Sequence, residues 1–211
     1  MTALSNSPVL EAIRNRRAVR NFDPAHQMTE PEILALLEEA RLSPTAFNLQ
    51  QFRFLVVSDP AQRRKLREAS WDQPQVTDAS ALIVLCADIK AWEKDPEQCW
   101  ATAPAEIRDL YVGKLIPEFY SGRPQLQRDE GVRSCGLAAY ALMMAAEACG
   151  LQSCPMDGFD FDQVAEIINL PADHIVVMYV AIGRELAAPG PRLPLLPLQA
   201  LVAFNRFGPE K

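Results

Sequence analysis

The apolar positions of this chain change period along its length, and the changes mark its elements. Ser7 and Pro8 read as a cap residue followed by a first helical proline, and Val9, Leu10 and Ile13 form a stripe that predicts a helix ending near Arg16. TEPE, Thr29 to Glu32, has the spacing of a capping box, with Pro31 inside the first turn. Ile33, Leu34, Leu36, Leu37 and Ala40 follow at helical spacing until Pro44 stops the run. FRFLVV, Phe52 to Val57, has the aromatic and β-branched content of a strand, and Asp59-Pro60 opens a basic helix through about Ser70. SALIVLCA, Ser80 to Ala87, is apolar without interruption over a strand's length, which implies burial on both faces of a sheet.

From Pro96 to about Gly131 the pattern is helical, but Pro104, Pro117 and Pro124 break it, which predicts helices separated by a mobile excursion. Trp92, Trp100, Tyr111, Phe119 and Tyr120 in this region, and Trp71 before it, suit a core and a substrate pocket equally. Gly131 to Gly150 is the longest helix candidate, apolar on most sides and ended by a glycine in the C′ position; such a helix is central or covered by a second subunit. LQSCPMDGFD holds a PMDG turn, Pro155 to Gly158, after which Asp160 and Gln163 predict a second capping box and a helix to about Asn169. IVVMYVAIG, Ile175 to Gly183, predicts another buried strand. The tail from Pro189 to Lys211 is proline-rich, with Pro189, Pro191, Pro194 and Pro197 in its first half, so an extended arm is expected, and its Leu193, Leu195, Leu196, Leu198, Leu201, Val202 and Phe204 call for cover by a partner subunit. No repeat or linker divides the 211 residues, which suit one domain, 1–211, around one core.

Composition narrows the function. Apolar residues make up 49% and charged residues 23%, as in a folded globular protein, and the formal net charge of -6 argues against a general binder of nucleic acid or anionic membrane. No leader pattern follows Met1, and the longest apolar stretch, around Gly136 to Cys149, carries Glu147 and is too short to span a bilayer. A soluble, cytoplasmic protein is expected. The five cysteines are odd in number and contain no C-x-x-C, so they read as reduced thiols; two histidines leave little for a metal centre or hydrolytic triad. Cys154 reads as a buried thiol.

Against that acidic background RNRRAVR gathers Arg14, Arg16, Arg17 and Arg20. A helix C-terminus explains the first two through its dipole, worth about 0.3–1 kcal/mol, but Arg17 and Arg20 lie beyond the predicted helix. A nucleic-acid surface would need many more phosphate contacts than the acidic remainder offers. A phosphate clamp ranks first, because one arginine about 4 Å from a phosphate charge is worth nearly 4 kcal/mol at an effective dielectric of about 20. In SPTAFNLQQF, Ser43 to Phe52, Asn48 and Gln50 place two amides on one side of an extended segment, where they can read a polar ring edge; Ser, Pro and Asn are also ordinary loop residues.

RNRRAVRNFD, EEARLSPTAFNLQQFRFLVV, LQSCPMDGFD and PGPRLPL occur in the order and at the distances of the FMN-dependent nitroreductase family. The chain resembles that family over nearly its whole length, least from about Ile89 to Arg128. The resemblance implies an α+β fold, with a mainly antiparallel central sheet flanked by helices, a long central helix and a C-terminal arm exchanged in a homodimer. It implies FMN at the subunit interface, NADH or NADPH as electron donor, and ping-pong hydride transfer to nitroaromatics, quinones or related electrophiles. By the same resemblance Arg16, Arg17 and Arg20, with Arg192, would hold the phosphate and ribityl chain, and Ala18 would offer its backbone. Asn48 and Gln50, with Pro44 and Thr45, would contact the ring side and ribityl chain from one subunit. Pro155, Met156, Asp157 and Gly158 would approach from elsewhere, a backbone N–H of Asp157 or Gly158 meeting flavin N5, and Arg20 could turn toward the N1–C2=O edge.

The chain departs from the family pattern at Ala18, in place of a frequent serine, at Gln51-Phe52, in place of Pro-Trp, and at Asp157, in place of glutamate. The nine glycines contain no G-x-G-x-x-G, and no acid–base pair stands out; both agree with a site in which the flavin carries the hydride chemistry and no side chain is catalytic. A flavin sensor or store, or a flavin-fragmenting enzyme of a sister family, is the alternative reading.

Overall fold

A computed structural model describes residues 7–207; the readings at Met1 and at the end of the tail, to Lys211, lie outside the described residues. The first half runs α1 (Pro8–Asn15), α2 (Glu30–Ala40), β1 (Phe52–Val56), α3 (Pro60–Ala69), α4 (Gln75–Asp78) and β2 (Ala81–Asp88). The second runs α5 (Ala91–Lys94), α6 (Pro96–Cys99), α7 (Ala105–Leu110), α8 (Ile116–Tyr120), α9 (Pro124–Ala148), β3 (Gln152–Met156), α10 (Phe161–Ile167), β4 (His174–Gly183) and α11 (Leu198–Leu201). The four strands form one antiparallel sheet in the order β1-β2-β4-β3.

The uninterrupted apolar run forms the inner strand β2, every residue of which is buried. Alternation then sorts its side chains: Leu82, Val84 and Cys86 join a cluster with α3, α4 and α10, while Ala81, Ile83, Leu85 and Ala87 join one with α2 and α9. The single core expected from chain length is thus split by the sheet, and a third cluster of Leu49, Val112, Ile116 and Tyr120 lies apart from both.

Local signals were realised unevenly. The Thr29–Glu32 box closes in both directions, and Gly150 takes the left-handed φ of 71° that a C′ residue requires. Ser7 makes no side-chain cap, so Pro8 alone marks that helix start. The second box is half formed: Asp160 accepts from the Gln163 N–H at 3.0 Å, but its own N–H donates to Ala69 O. Prolines read as breaks start helices instead, with Pro117 and Pro124 in first turns and Pro104 as an N-cap. Between α7 and α8 the chain stays helical through a π turn, Tyr111–Leu115. Helix α9 therefore begins seven residues before Gly131.

Strand β3 runs through LQSCPMDGFD and takes in Pro155 and Met156, the first two residues of the expected PMDG turn. Pro155 is tolerated there because β3 is an edge strand, where a missing N–H costs no ladder bond on the open side. The tail has one short helix, α11, and otherwise no regular structure among the described residues. Its Leu193, Leu195, Leu196, Leu198, Leu201 and Phe204 are all exposed.

Helix α9 lies close on β2 at Gly131, where an added Cβ would stand 2.8 Å from Ala87 Cβ. Neither partner is a flexible chain end, so Gly131→Ala is expected to destabilise by about 1–3 kcal/mol through overpacking, net of a helix-propensity gain of about 1 kcal/mol. Urea unfolding would show a lowered midpoint at unchanged slope; an unchanged or raised midpoint would contradict the packing described.

Candidate functional site

Beyond α1 the arginine segment is stretched along the open edge of β3. Ala18 forms a parallel bridge with Ser153, and the Val19 N–H donates to Ser153 O at 3.1 Å. Val19 and Phe22 are buried and anchor the segment, leaving Arg16, Arg17 and Arg20 around the strand edge. The tail returns to the same place. Arg192 Nη2 donates to the carbonyls of Arg14 and Arg16 at 3.0 and 2.9 Å, capping the end of α1, and Arg17 Nη2 donates to Gly190 O at 2.6 Å. Arg16 Nη1 is buried with no hydrogen-bond partner. A charged donor left unmet in this way costs several kcal/mol at most and about 1–3 kcal/mol at least. Among the described residues no carboxylate lies within salt-bridge distance of Arg16, Arg17, Arg20 or Arg192.

Beside this cluster a cavity of about 220 Å³ is lined by Arg20, Trp71, Gln73, Gln75 and the run Cys154 to Gly158. It brings Pro155, Met156, Asp157 and Gly158 together with Arg20, the one member of the arginine cluster that lines it. Gly158 is required there, since a Cβ would stand 2.9 Å from the Trp71 ring, and Gln73 Nε2 donates to its carbonyl at 2.8 Å. Gln73 and Gln75 were not recognised from sequence. WDQPQ, like the 43–52 loop, concentrates amides between a helix and a strand, which is the signal that could have found them. Trp71, with a left-handed φ of 53°, is exposed at this cavity and is not core. The Cys154 thiol is held above its ordinary pKa by burial, against the opposing pull of Arg20 and Arg16.

Pro44, Thr45, Asn48 and Gln50 are elsewhere. Their loop is not extended: a 3₁₀ turn spans Ala46–Asn48, and Phe47, Asn48 and Gln50 have φ of 54°, 57° and 48°. Asparagine tolerates this region, but phenylalanine and glutamine do so at a cost of order 1–3 kcal/mol each. The loop is clamped by α6 and the helices after it. Asn48 Nδ2 donates to Cys99 O and Trp100 Nε1 to Phe47 O, both at 2.9 Å, while the Phe47 ring packs edge-on to Phe119 and Tyr120. The region from Ile89 to Arg128 thus supports this loop, and most of its aromatics pack in the third cluster or against it. Gln51, the departure from a frequent proline, is buried; its Oε1 accepts from Ser134 Oγ of α9 at 2.9 Å.

The two sets are far apart in one chain. Ala18 adjoins Ser153, which pairs with Ile182, whereas Phe52 pairs with Ala87, which pairs with Ile175. Along β4 that separation is roughly 23 Å, and β1 and β3 are opposite edges of the sheet, roughly 14 Å apart. One mononucleotide does not span it.

Under the 44–53 loop lies a network of charges. Buried Asp88 meets Arg53 Nη2 at 2.9 Å and Lys94 Nζ at 2.7 Å, and Lys94 also meets Asp173 at 2.7 Å, beside His174. Hydrogen bonds from Lys94 and His174 hold the Asp173 carboxyl down to about 2. Asp88, Asp173 and His174 have the spacing of metal ligands, but Lys94 already bridges the two carboxylates, so the positive charge there is the protein's own.

Comparison with known proteins adds an independent finding. A family model described as the nitroreductase family matches residues 13–184. Protein DrgA of Synechocystis is 50% identical over 183 residues, covering 86% of this chain and 87% of that one. An NADH dehydrogenase of Thermus thermophilus is 35% identical over 197 residues, covering 89% and 94%. An Exiguobacterium sibiricum protein solved in complex with FMN superposes with a TM-score of 0.87 at 29% identity, covering 95% and 98%.

Two outcomes follow from these contacts. Asp173 has a depressed folded pKa, so its contribution is present above about pH 4 and is lost as pH falls toward 2. The stability difference between wild type and Lys94→Met, read from urea melts, should therefore narrow from pH 5 downward; a difference independent of pH would contradict the pairing. Cys154 should resist a thiol reagent in the native protein and react on unfolding, whereas rapid native labelling would contradict its burial.

Proposed function

The chain belongs to the nitroreductase family, and from that premise we propose that it is an FMN-dependent oxidoreductase whose cofactor lies between two copies of the chain. NADH or NADPH would reduce it, and nitroaromatics, quinones or related electrophiles would reoxidise it. The observation that carries the reading is the group of arginines at the β3 edge: the buried Arg16 Nη1 lacks an acceptor, and among the described residues Arg16, Arg17, Arg20 and Arg192 have no carboxylate within salt-bridge distance. A phosphate supplies both.

In this reading Arg16, Arg17 and Arg20 hold the phosphate and the near end of the ribityl chain, and Ala18 offers its backbone. Arg192 already spends Nη2 on the carbonyls of Arg14 and Arg16, so it braces the clamp and has its remaining N–H groups for the anion. Pro155, Met156, Asp157 and Gly158 wall the adjoining cavity, and a backbone N–H of Asp157 or Gly158 is the donor for the ring edge. Pro44, Thr45, Asn48 and Gln50 complete the site from the second copy. When bound, FMN would supply the hydride chemistry of two separate half-reactions, one with the nicotinamide and one with the electrophile. The protein's part is to bind, orient and exclude water.

The dimer has its own support. The tail leucines and Phe204 are exposed, as are Leu137 and Tyr140 on α9, and each large apolar side chain covered by a second copy would contribute roughly 1.5–3 kcal/mol. No helix among the described residues is long and apolar enough to cross a membrane, so a bilayer-spanning helix does not claim these side chains.

Purified protein is expected to take up FMN with a dimer's mass in light scattering. With FMN bound it should oxidise NADH or NADPH in the presence of menadione or a nitroarene, with parallel initial-rate lines and the flavin intact. Arg16→Gln should weaken FMN by about tenfold to a hundredfold, the value of a charged hydrogen bond to phosphate. A protein that leaves FMN free, or that consumes it, would contradict the proposal.

A further inference from the structure

Gln50 is gripped from behind by a residue that the cofactor reading does not use. Its φ of 48° is one that glutamine keeps only where its surroundings enforce it. The Gln50 N–H donates to Thr45 Oγ1 at 2.9 Å, and its carbonyl accepts from Arg53 Nη1 at 2.8 Å. The same Nη1 donates to Phe52 O at 2.9 Å, so one guanidinium branch ties the loop to the first residue of β1. The other branch, Nη2, is fixed on Asp88 Oδ2 at 2.9 Å. Asp88 cannot swing away: its side chain is 2% exposed, its Oδ1 accepts from the Lys90 N–H at 3.0 Å, and its own N–H donates to Gln51 O at 2.8 Å.

We propose that Arg53 and Asp88 are positioning residues for Gln50. The buried carboxylate orients the guanidinium, the guanidinium fixes the Gln50 backbone, and of these three residues only Gln50 meets the flavin. The inference rests on the reading of the 44–50 loop as the ring side of the cofactor site. It goes beyond loop stability because the grip is confined to the backbone. The Gln50 side chain keeps only long contacts, Nε2 to Asn48 O at 3.3 Å and to Cys99 Sγ at 3.8 Å, so it is free to engage a ligand while its base is locked. Arginine suits the task because its planar fork reaches Gln50 O and Asp88 at once; an ammonium is one point and serves one of them.

The test combines FMN affinity with amide hydrogen exchange in the full-length wild type, Arg53→Gln, Gln50→Ala and the double variant. Arg53→Gln is expected to weaken FMN about tenfold and to blur the vibronic structure of the flavin band. It should also raise exchange at the Gln50 amide by at least about tenfold, with β2 protection unchanged. The double variant should bind FMN no more weakly than Gln50→Ala alone, since Arg53 acts through Gln50. If Arg53→Gln does not fold, Arg53→Lys replaces it with the same expectations. Additive losses, or unchanged Gln50 exchange, would overturn the positioning role. Wild type that leaves FMN free, or Gln50→Ala that binds it normally, would overturn the reading of the loop, while exchange in the same proteins would still decide whether Arg53 sets Gln50.

Discussion

Like charges that gather without counter-ions must be held by something else, and here the edge of a sheet holds them. Two guanidinium groups about 6 Å apart repel by roughly 3 kcal/mol at an effective dielectric of about 20. The fold sustains Arg16, Arg17 and Arg20 by burying Val19 and Phe22 between them and the sheet, bonding Val19 to Ser153, and bringing the tail back so that Arg192 caps α1. Such a patch, in a chain of net charge -6, suits an anion and is the basis on which the cofactor site is proposed. The cavity behind Pro155 to Gly158 extends the patch into a site with room for more than a phosphate.

A second strained construction sits at the other end of the sheet. Three non-glycine residues with left-handed φ in a four-residue span would be costly in a free loop. The region from α5 to α8 offsets that cost through Trp100 Nε1 donating to Phe47 O, Cys99 O accepting from Asn48 Nδ2 and a packed aromatic cluster, and Arg53 with Asp88 closes the loop from beneath. In the proposed function each construction would supply half of the cofactor site. Neither is brought to the other within one protomer, and the exposed leucines of the tail and α9 lie where a second copy would find apolar surface to cover.

Much of this was legible in sequence wherever the governing interaction is local. The Thr29–Glu32 box, the Gly150 cap and the apolar run of β2 are set by neighbours within a few residues, and each was found. Edge strand β3 was not, because Pro155 is a strand breaker except where one side has no partner, and that depends on β4, far along the chain. Proline also misled in α8 and α9: it stops a helix from within and starts one at the first turn, and only the position decides. The candidate residues were legible as types, arginines for a phosphate and amides for a ring edge. The wall formed by Trp71, Gln73 and Gln75, and the pairing of Arg53 with Asp88, come from tertiary contacts that no spacing encodes.

The shared site can be tested by complementation. Arg16→Gln/Arg17→Gln and Asn48→Ala/Gln50→Ala chains, each impaired alone, would be unfolded together, refolded and titrated with FMN. If each site joins the arginines of one copy to the loop of the other, half of the dimers are mixed and each carries one intact site of its two, so about one site in four should bind as tightly as wild type. No recovery of tight sites on mixing would show that the arginines and the 44–50 loop do not serve one flavin across the interface.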